Sequence, residues 1–353
     1  MKGELIVLAQ SMEQPRIVKR INQKAKEYES VHVYGFTRNV HSVQNHEVLK
    51  QNKNVKITIA GQLKNKKYAQ RAFTFLRLLR LIYGQYGIGR KDIYVFGLDL
   101  RMLSFFLFNA KVDYEISDVI WLYASKTKRK IFGRIDNFLA GKSRKVVFTT
   151  KSFYDTYYNK SVKEDQVVIA ENKLETYGRV HPIEQMLLDK VRIAYIGAFR
   201  YKDIIENLIH TASGNQDLVL NFYGGTHGGS LMQTIDKATY DCQNIFYHGP
   251  FKNPDDLEKI YGENNLNFVV YDNTLENEKV AMPNKFYESG FFNIPIVCAT
   301  KTYVGQRVLE QGLGWTIDTD FESISNFLNT ISIEELKECH RDIKKLDKSH
   351  FIT

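Results

Sequence analysis

Three cysteines in 353 residues, Cys242, Cys298 and Cys339, form no CxxC pair and have no metal-ligand spacing. A disulfide scaffold and a zinc module are therefore excluded, and a reduced, cytosolic protein is expected. No apolar stretch approaches the roughly 20 residues that a membrane span needs. The apolar run at 5–9 is too short for a signal-peptide core and leads straight into Gln10, Ser11 and Glu13, so the chain is expected to be neither secreted nor transmembrane. Heptads, low-complexity tracts and short repeats are also missing. So are a helix-turn-helix pattern, a zinc knuckle and an aromatic-interleaved strand motif, which leaves nucleic-acid binding without a recognisable module.

What is there begins with length. At 353 residues and 43% hydrophobic content, the chain is too long for one small core and fits two domains. Its net charge of +9 is unevenly spread: residues 1–175 hold 32 Lys and Arg against 16 Asp and Glu, and 176–353 hold 17 against 24. A front half at +16 on a back half at −7 implies that the first domain meets something anionic: nucleic acid, an acidic membrane surface or a phospholipid-linked substrate.

Short apolar runs at 4–9, 31–35, 55–60, 93–96, 111–116, 146–149 and 167–170 read as strands separated by helices and loops, and the pattern restarts at 191–196, 219–223, 244–247, 266–271 and 294–299. Such alternation predicts α/β domains with parallel sheets. The polar segment 172–182 is the linker candidate. The expected division is 1–175, 176–330 and a carboxy-terminal helical segment, 331–353, that packs back on the first domain.

Two segments of the first half are strongly basic. Residues 64–86 carry Lys64, Lys66, Lys67, Arg71, Arg77 and Arg80 among aromatic and aliphatic side chains, with no acid. The segment reads as a basic amphipathic helix suited to a membrane interface, or as a crossover helix with snorkelling arginines. Residues 126–145, which include Lys128, Arg129 and Lys130, oppose the single acid Asp136. Phe105, Phe106 and Phe108 are most simply core.

The segment Ala281-Met-Pro-Asn-Lys-Phe-Tyr-Glu288 lies between the apolar runs at 266–271 and 294–299. Pro283 suits the first turn of a helix, and Asn284 can cap its free amides. Lys285 adds a full charge to a helix N-terminus, an arrangement that attracts anions. Glu288 follows three residues later on the same face, able to accept from two sugar hydroxyls. A solvent-side ion pair on an ordinary amphipathic helix is the plain alternative. Three further turns follow strands: Gly197 to Lys202, where Arg200 and Lys202 offer cations to phosphate; the Gly224-Gly225 loop, with His227; and Gly249-Pro250-Phe251, whose backbone could read a base edge. The glycine loop lacks a P-loop ending and the dinucleotide fingerprint, which disfavours an ATPase or an NAD enzyme. In the first half Asp118 stands at a strand's carboxyl end, as a proton acceptor for a substrate hydroxyl or as a helix cap.

Taken in order, Tyr195-Ile-Gly197 with Arg200, Gly224-Gly225, the Gly249 turn and Pro283-Asn284-Lys285 with Glu288 resemble the nucleotide-sugar glycosyltransferases of the GT-B fold, especially the family 4-like enzymes of bacterial capsule and exopolysaccharide assembly. The first half is less similar, through Tyr114 to Asp118, Val147 to Thr150 and Val168 to Asn172. The resemblance implies two Rossmann-like domains facing each other across a cleft, the second holding the donor. Arg200 and Lys285 would neutralise the diphosphate, Glu288 would accept from the ribose, and the 249–251 backbone would meet the base. No metal and no cofactor beyond the nucleotide-sugar substrate is implied. The family often carries a second glutamate eight positions before Glu288; here that position is Val280, with Glu276 and Glu278 out of register. The contact to the donor sugar, and with it retention or inversion, is therefore not carried over.

The resulting expectation is a cytoplasmic hexosyltransferase, peripheral at the inner membrane surface, that moves a sugar from a nucleotide donor to a polyprenyl-diphosphate-linked glycan. A nucleotide-sugar epimerase of the same fold and a nucleic-acid-binding protein are the alternatives.

Overall fold

The computed structural model describes the chain except residues 1, 12–13, 38–48, 50–51, 63–67 and 227–228; at 62 and 68–72 it describes the backbone. It divides into two units, Met1–Glu171 and Asn172–Thr353.

The first unit holds seven parallel strands: β1 (Lys2–Ala9), β2 (Tyr28–Thr37), β3 (Val55–Gln62), β4 (Lys91–Phe96), β5 (Ala110–Ile116), β6 (Lys145–Phe148) and β7 (Val167–Ile169), in the order β3-β2-β1-β4-β5-β6-β7. The second holds six: β8 (Val191–Ala198), β9 (Leu218–Gly225), β10 (Ile245–Gly249), β11 (Leu266–Val269), β12 (Ile296–Ala299) and β13 (Gly314–Ile317), in the order β10-β9-β8-β11-β12-β13. In both, the chain runs outward from its first strand, returns to that strand's other side and runs outward again. That is Rossmann-like winding, and it leaves a crevice at the carboxyl ends of β1 and β4 in one sheet and of β8 and β11 in the other.

A sheet covered by helices on both faces needs strands that are apolar on both sides. In β1, Leu5, Val7 and Ala9 enter one core while Ile6 and Leu8 enter another; in β8, Ile193 and Tyr195 go one way and Ala194 and Ile196 the other. This period-two alternation assigns each covering helix to a face. Helix Pro15–Glu27, with proline at its start, buries Ile17, Val18, Ile21 and Ala25 on one side of the first sheet, and helix Tyr68–Tyr86 buries Leu78 and Ile82 on the other. Each of the Val, Leu and Ile side chains among these contributes about 1.5–3 kcal/mol when fully buried.

The last helix, Ile333–Lys344, starts with a reciprocal cap between Ser332 and Glu335. Residues 331–353 are anchored in the second unit. Leu336 and Ile343 enter that unit's two cores, Ile352 bridges to Leu174, and the Phe351 ring lies against Gly290, where an added Cβ would stand 2.2 Å from it. The strand β13 has no counterpart among the expected ones.

Candidate functional site

Helix Asn284–Phe292 lies between the short helix Glu276–Val280, which follows β11, and β12. Asn293 at its end takes a left-handed conformation, φ 65°, which terminates it. The helix begins one residue later than expected. Pro283 is the capping residue, with extended backbone and no side-chain cap bond, and Asn284 is the first helical residue. Asn284 does not cap, because its amide is turned along the helix to donate to Glu288 Oε1.

Lys285 and Glu288 are not a solvent-side pair. Their side chains are 6% and 1% exposed, and Lys285 Nζ donates to Glu288 Oε2 at 2.6 Å. The same carboxylate accepts from Tyr261 OH at 2.9 Å, from Asn284 and, more loosely, from Asn253 Nδ2 at 3.4 Å. Four donors from three chain segments converge on it. Burial, and next the Glu288 charge, push the Tyr261 phenol well above its ordinary range, so it remains a neutral donor. Lys285 Nζ also lies 5.5 Å from the centroid of the Phe251 ring, in the loop after β10.

The lysine stem passes the end of β8. A Cβ added at Gly197, where φ is +121°, would be 4.0 Å from Lys285 Cε. Gly197 is in register with Gly224 at the end of β9, and the two backbones approach so closely that a Cβ on Gly224 would fall 1.9 Å from Gly197 O. Only glycine tolerates that contact together with φ +129°. Gly225 O accepts from Phe199 N at 2.9 Å, and Tyr247 OH donates to Gly224 O at 3.1 Å. These bonds hold the two glycine turns beside Lys285.

Between the ends of β8 and β11 lies a group of aromatic side chains that sequence reasoning missed. Tyr201 and Tyr271 pack at 5.1 Å between centroids, and Tyr201 OH donates to the buried Glu278 at 3.0 Å. Burial raises the phenols of Tyr195 and Tyr271, and Arg200, in the turn after β8, is exposed. The Tyr195 hydroxyl is buried with no hydrogen-bond partner among the described residues.

Gly197, Gly224 and Gly225 at the ends of β8 and β9, Phe251 after β10, and Asn284, Lys285 and Glu288 at the helix start thus lie together. Gly249, at φ +79°, and the exposed Pro250 form the turn that leads to Phe251. Lys202 is exposed and faces Glu206 at 3.7 Å along its own helix. Asp118, in the first unit, is half-exposed, with Arg16 NH1 3.9 Å away. It caps no helix; the short helix that follows is preceded by Val119, without a side-chain cap. Lys66, Lys67 and His227 lie outside the described residues, as does the Arg71 side chain. Arg77, Arg80, Lys128 and Lys130 are exposed, and Arg129 is partly so. Phe105, Phe106 and Phe108, expected in the core, are exposed. They follow the end of helix Leu98–Ser104, and only Leu107 among them turns inward.

Among the described residues no helix is long and apolar enough to cross a membrane, and no group of His, Cys, Asp and Glu side chains is arranged to hold a metal ion.

The sequence matches no protein-family model and no curated protein. Solved structures do resemble it. Sucrose-phosphate synthase from Thermosynechococcus elongatus superimposes with a TM-score of 0.71 at 13% identity, over 99% of this chain and 95% of that one. Anabaena HepE in complex with UDP and glucose gives 0.72 at 12% identity, over 99% and 95%. A putative UDP-N-acetylglucosamine 2-epimerase from Listeria monocytogenes gives 0.61 at 11%, over 99% and 92%. At these identities the likeness is one of fold, and it bears out two Rossmann-like α/β domains of the GT-B kind.

Proposed function

We propose that the chain is a glycosyltransferase that binds a nucleotide-sugar through its second unit and passes the sugar to a glycan carried on a lipid diphosphate. The observation that carries this reading is the buried Lys285–Glu288 pair at a helix start, against the glycine turns of β8 and β9. A nucleoside diphosphate needs a cation for its phosphates and an acceptor for its ribose hydroxyls, and this pair offers both three residues apart. The fold neighbour HepE, bound to UDP and glucose, supports a nucleotide ligand.

In this reading the diphosphate lies over Gly197, met by Lys285 and Arg200. The close glycine backbones leave room for it. Glu288 has its lone pairs already occupied, so a ribose hydroxyl enters by exchanging with the weakest of them, the 3.4 Å contact from Asn253. The leaving group is the nucleoside diphosphate; the two cations stabilise its charge as the glycosidic bond breaks. Asp118 accepts the acceptor hydroxyl's proton. The membrane-borne acceptor fits the +16 charge of residues 1–175.

An epimerase is the second reading, favoured by the Listeria neighbour. A nucleotide-release assay separates the two. Transfer requires nucleoside diphosphate to appear only when acceptor is present, whereas conversion of donor alone into an epimer would select the second reading.

A further inference from the structure

The first unit carries an exposed aromatic cluster. Phe105, Phe106 and Phe108 are 56%, 60% and 67% exposed, and Phe138, from helix Lys126–Gly141, is 54% exposed. Ring centroids lie 6.1 Å apart for Phe105 and Phe106, and 6.4 Å for Phe105 and Phe138. The segment is held in place. Tyr83 OH donates to Phe106 O at 2.7 Å and accepts from Phe108 N at 3.0 Å, and its ring lies 6.5 Å from that of Phe108. Contiguous exposed rings of this kind are unfavourable in water and mark a contact surface.

The rim is cationic. On helix Lys126–Gly141 the exposed Lys130, Arg134 and Phe138 recur every four residues, along one face. Lys142 Nζ follows, 6.0 Å from the Phe138 centroid. The acid of this helix, Asp136, is buried and takes donors from Tyr114, Trp121 and Tyr158, so it cancels none of the surface charge. Helix Tyr68–Tyr86, which ends beside Tyr83 and has no acid, exposes Phe73, Leu76, Arg77 and Arg80 at helical spacing.

We infer that this surface docks on an anionic lipid bilayer, with Phe105, Phe106, Phe108 and Phe138 entering the headgroup and acyl boundary and the lysines and arginines meeting lipid phosphates. Charge complementarity alone would also suit nucleic acid. The apolar members decide between them: Leu76 and Ile131 neither stack on bases nor hydrogen-bond, but both gain from acyl chains. The inference extends the reading of a lipid-borne acceptor, yet it rests on the first unit's surface and not on the donor site.

Vesicle flotation tests it. The full chain should float with vesicles containing about 30 mol% phosphatidylglycerol at about 0.15 M salt, and far less with pure phosphatidylcholine. The triple variant F105S/F106S/F108S should partition at least about tenfold less, because three rings lose their burial in lipid. Its melting temperature should stay near that of the parent, since the replaced rings are exposed in the fold. Lys130→Gln with Arg134→Gln and Lys142→Gln should weaken flotation and flatten its salt dependence. A Phe106→Trp reporter should shift its emission to the blue on anionic vesicles. Equal flotation of the serine variant and the parent would overturn the inference, as would no flotation of the parent. Oligonucleotide binding with a steep salt slope in a chain that ignores vesicles would assign the surface to nucleic acid instead.

Discussion

Lys285 Nζ sits 2.6 Å from Glu288 Oε2 inside the protein, and the two ends of this pair are supported unequally. Glu288 has Tyr261, Asn284 and Asn253 as further donors; Lys285 has the face of Phe251. Removing one member of a buried pair leaves the other uncompensated, which costs about 3–5 kcal/mol. Glu288→Leu should lose stability in that range, because it strands the lysine and the Tyr261 hydroxyl together. Lys285→Met should lose less, about 1–3 kcal/mol, because neutral donors still hold the carboxylate. Urea unfolding of both variants checks the order; equal losses would mean that the surrounding donors contribute nothing.

The glycine turns yield a second asymmetry. Gly224 and Gly197 both have positive φ, but a Cβ on Gly224 would overlap Gly197 O, whereas one on Gly197 meets only the flexible Lys285 stem at 4.0 Å. Gly224→Ala should therefore be the more damaging, by roughly 2 kcal/mol or more beyond the strain that both share. Thermal unfolding of the two variants measures the difference.

Asp118 is proposed to take the acceptor's proton. Asp118→Asn should lower kcat by about 10²–10⁴ while nucleotide affinity stays unchanged, since the donor groups lie in the other unit. A variant with full kcat would remove the residue from the mechanism.

Stability should fall in acid through His32, a buried residue of β2. Tyr86 donates its own proton to Glu4, so His32 Nδ1 carries the ring proton toward Tyr86 and Nε2 accepts from Thr58. Burial, with Lys56 adding to it, lowers the His32 pKa from 6.5 to about 4. Between these values the unfolded chain binds a proton that the folded one does not. The stabilising effect is thus complete above pH 6.5 and is lost as pH falls toward 4, a change on the order of 2 kcal/mol. The difference in stability between the parent and His32→Gln should shrink across that window.

Most of the fold was legible because parallel strands buried on both faces must be apolar runs, as at 5–9 and 193–196. β13 was not, for it is four residues long, begins with glycine and has no such run. Its Gly314 is needed where a Cβ would come 2.0 Å from Ile296 O, a requirement set by the neighbouring strand. The spacing of Lys285 and Glu288 put both on one face, but periodicity does not say what covers that face. Tyr261, Asn253 and Tyr201 reach the site from elements far away in sequence, and composition gives no sign of it. Phe105 to Phe108 misled for the converse reason: apolar residues at a helix end resemble core until the helix is seen to stop at Ser104.

Binding of a nucleoside diphosphate at Lys285 of the second unit is measured by titrating UDP, GDP, CMP, ADP and dTDP into the parent and into Lys285→Gln while following the melting temperature, which rises with a ligand that binds only the folded state. A selective rise with one nucleoside diphosphate is expected in the parent, with affinity reduced at least about tenfold when the charge is removed. No rise with any nucleotide, or an identical rise in a folded Lys285→Gln, would contradict it.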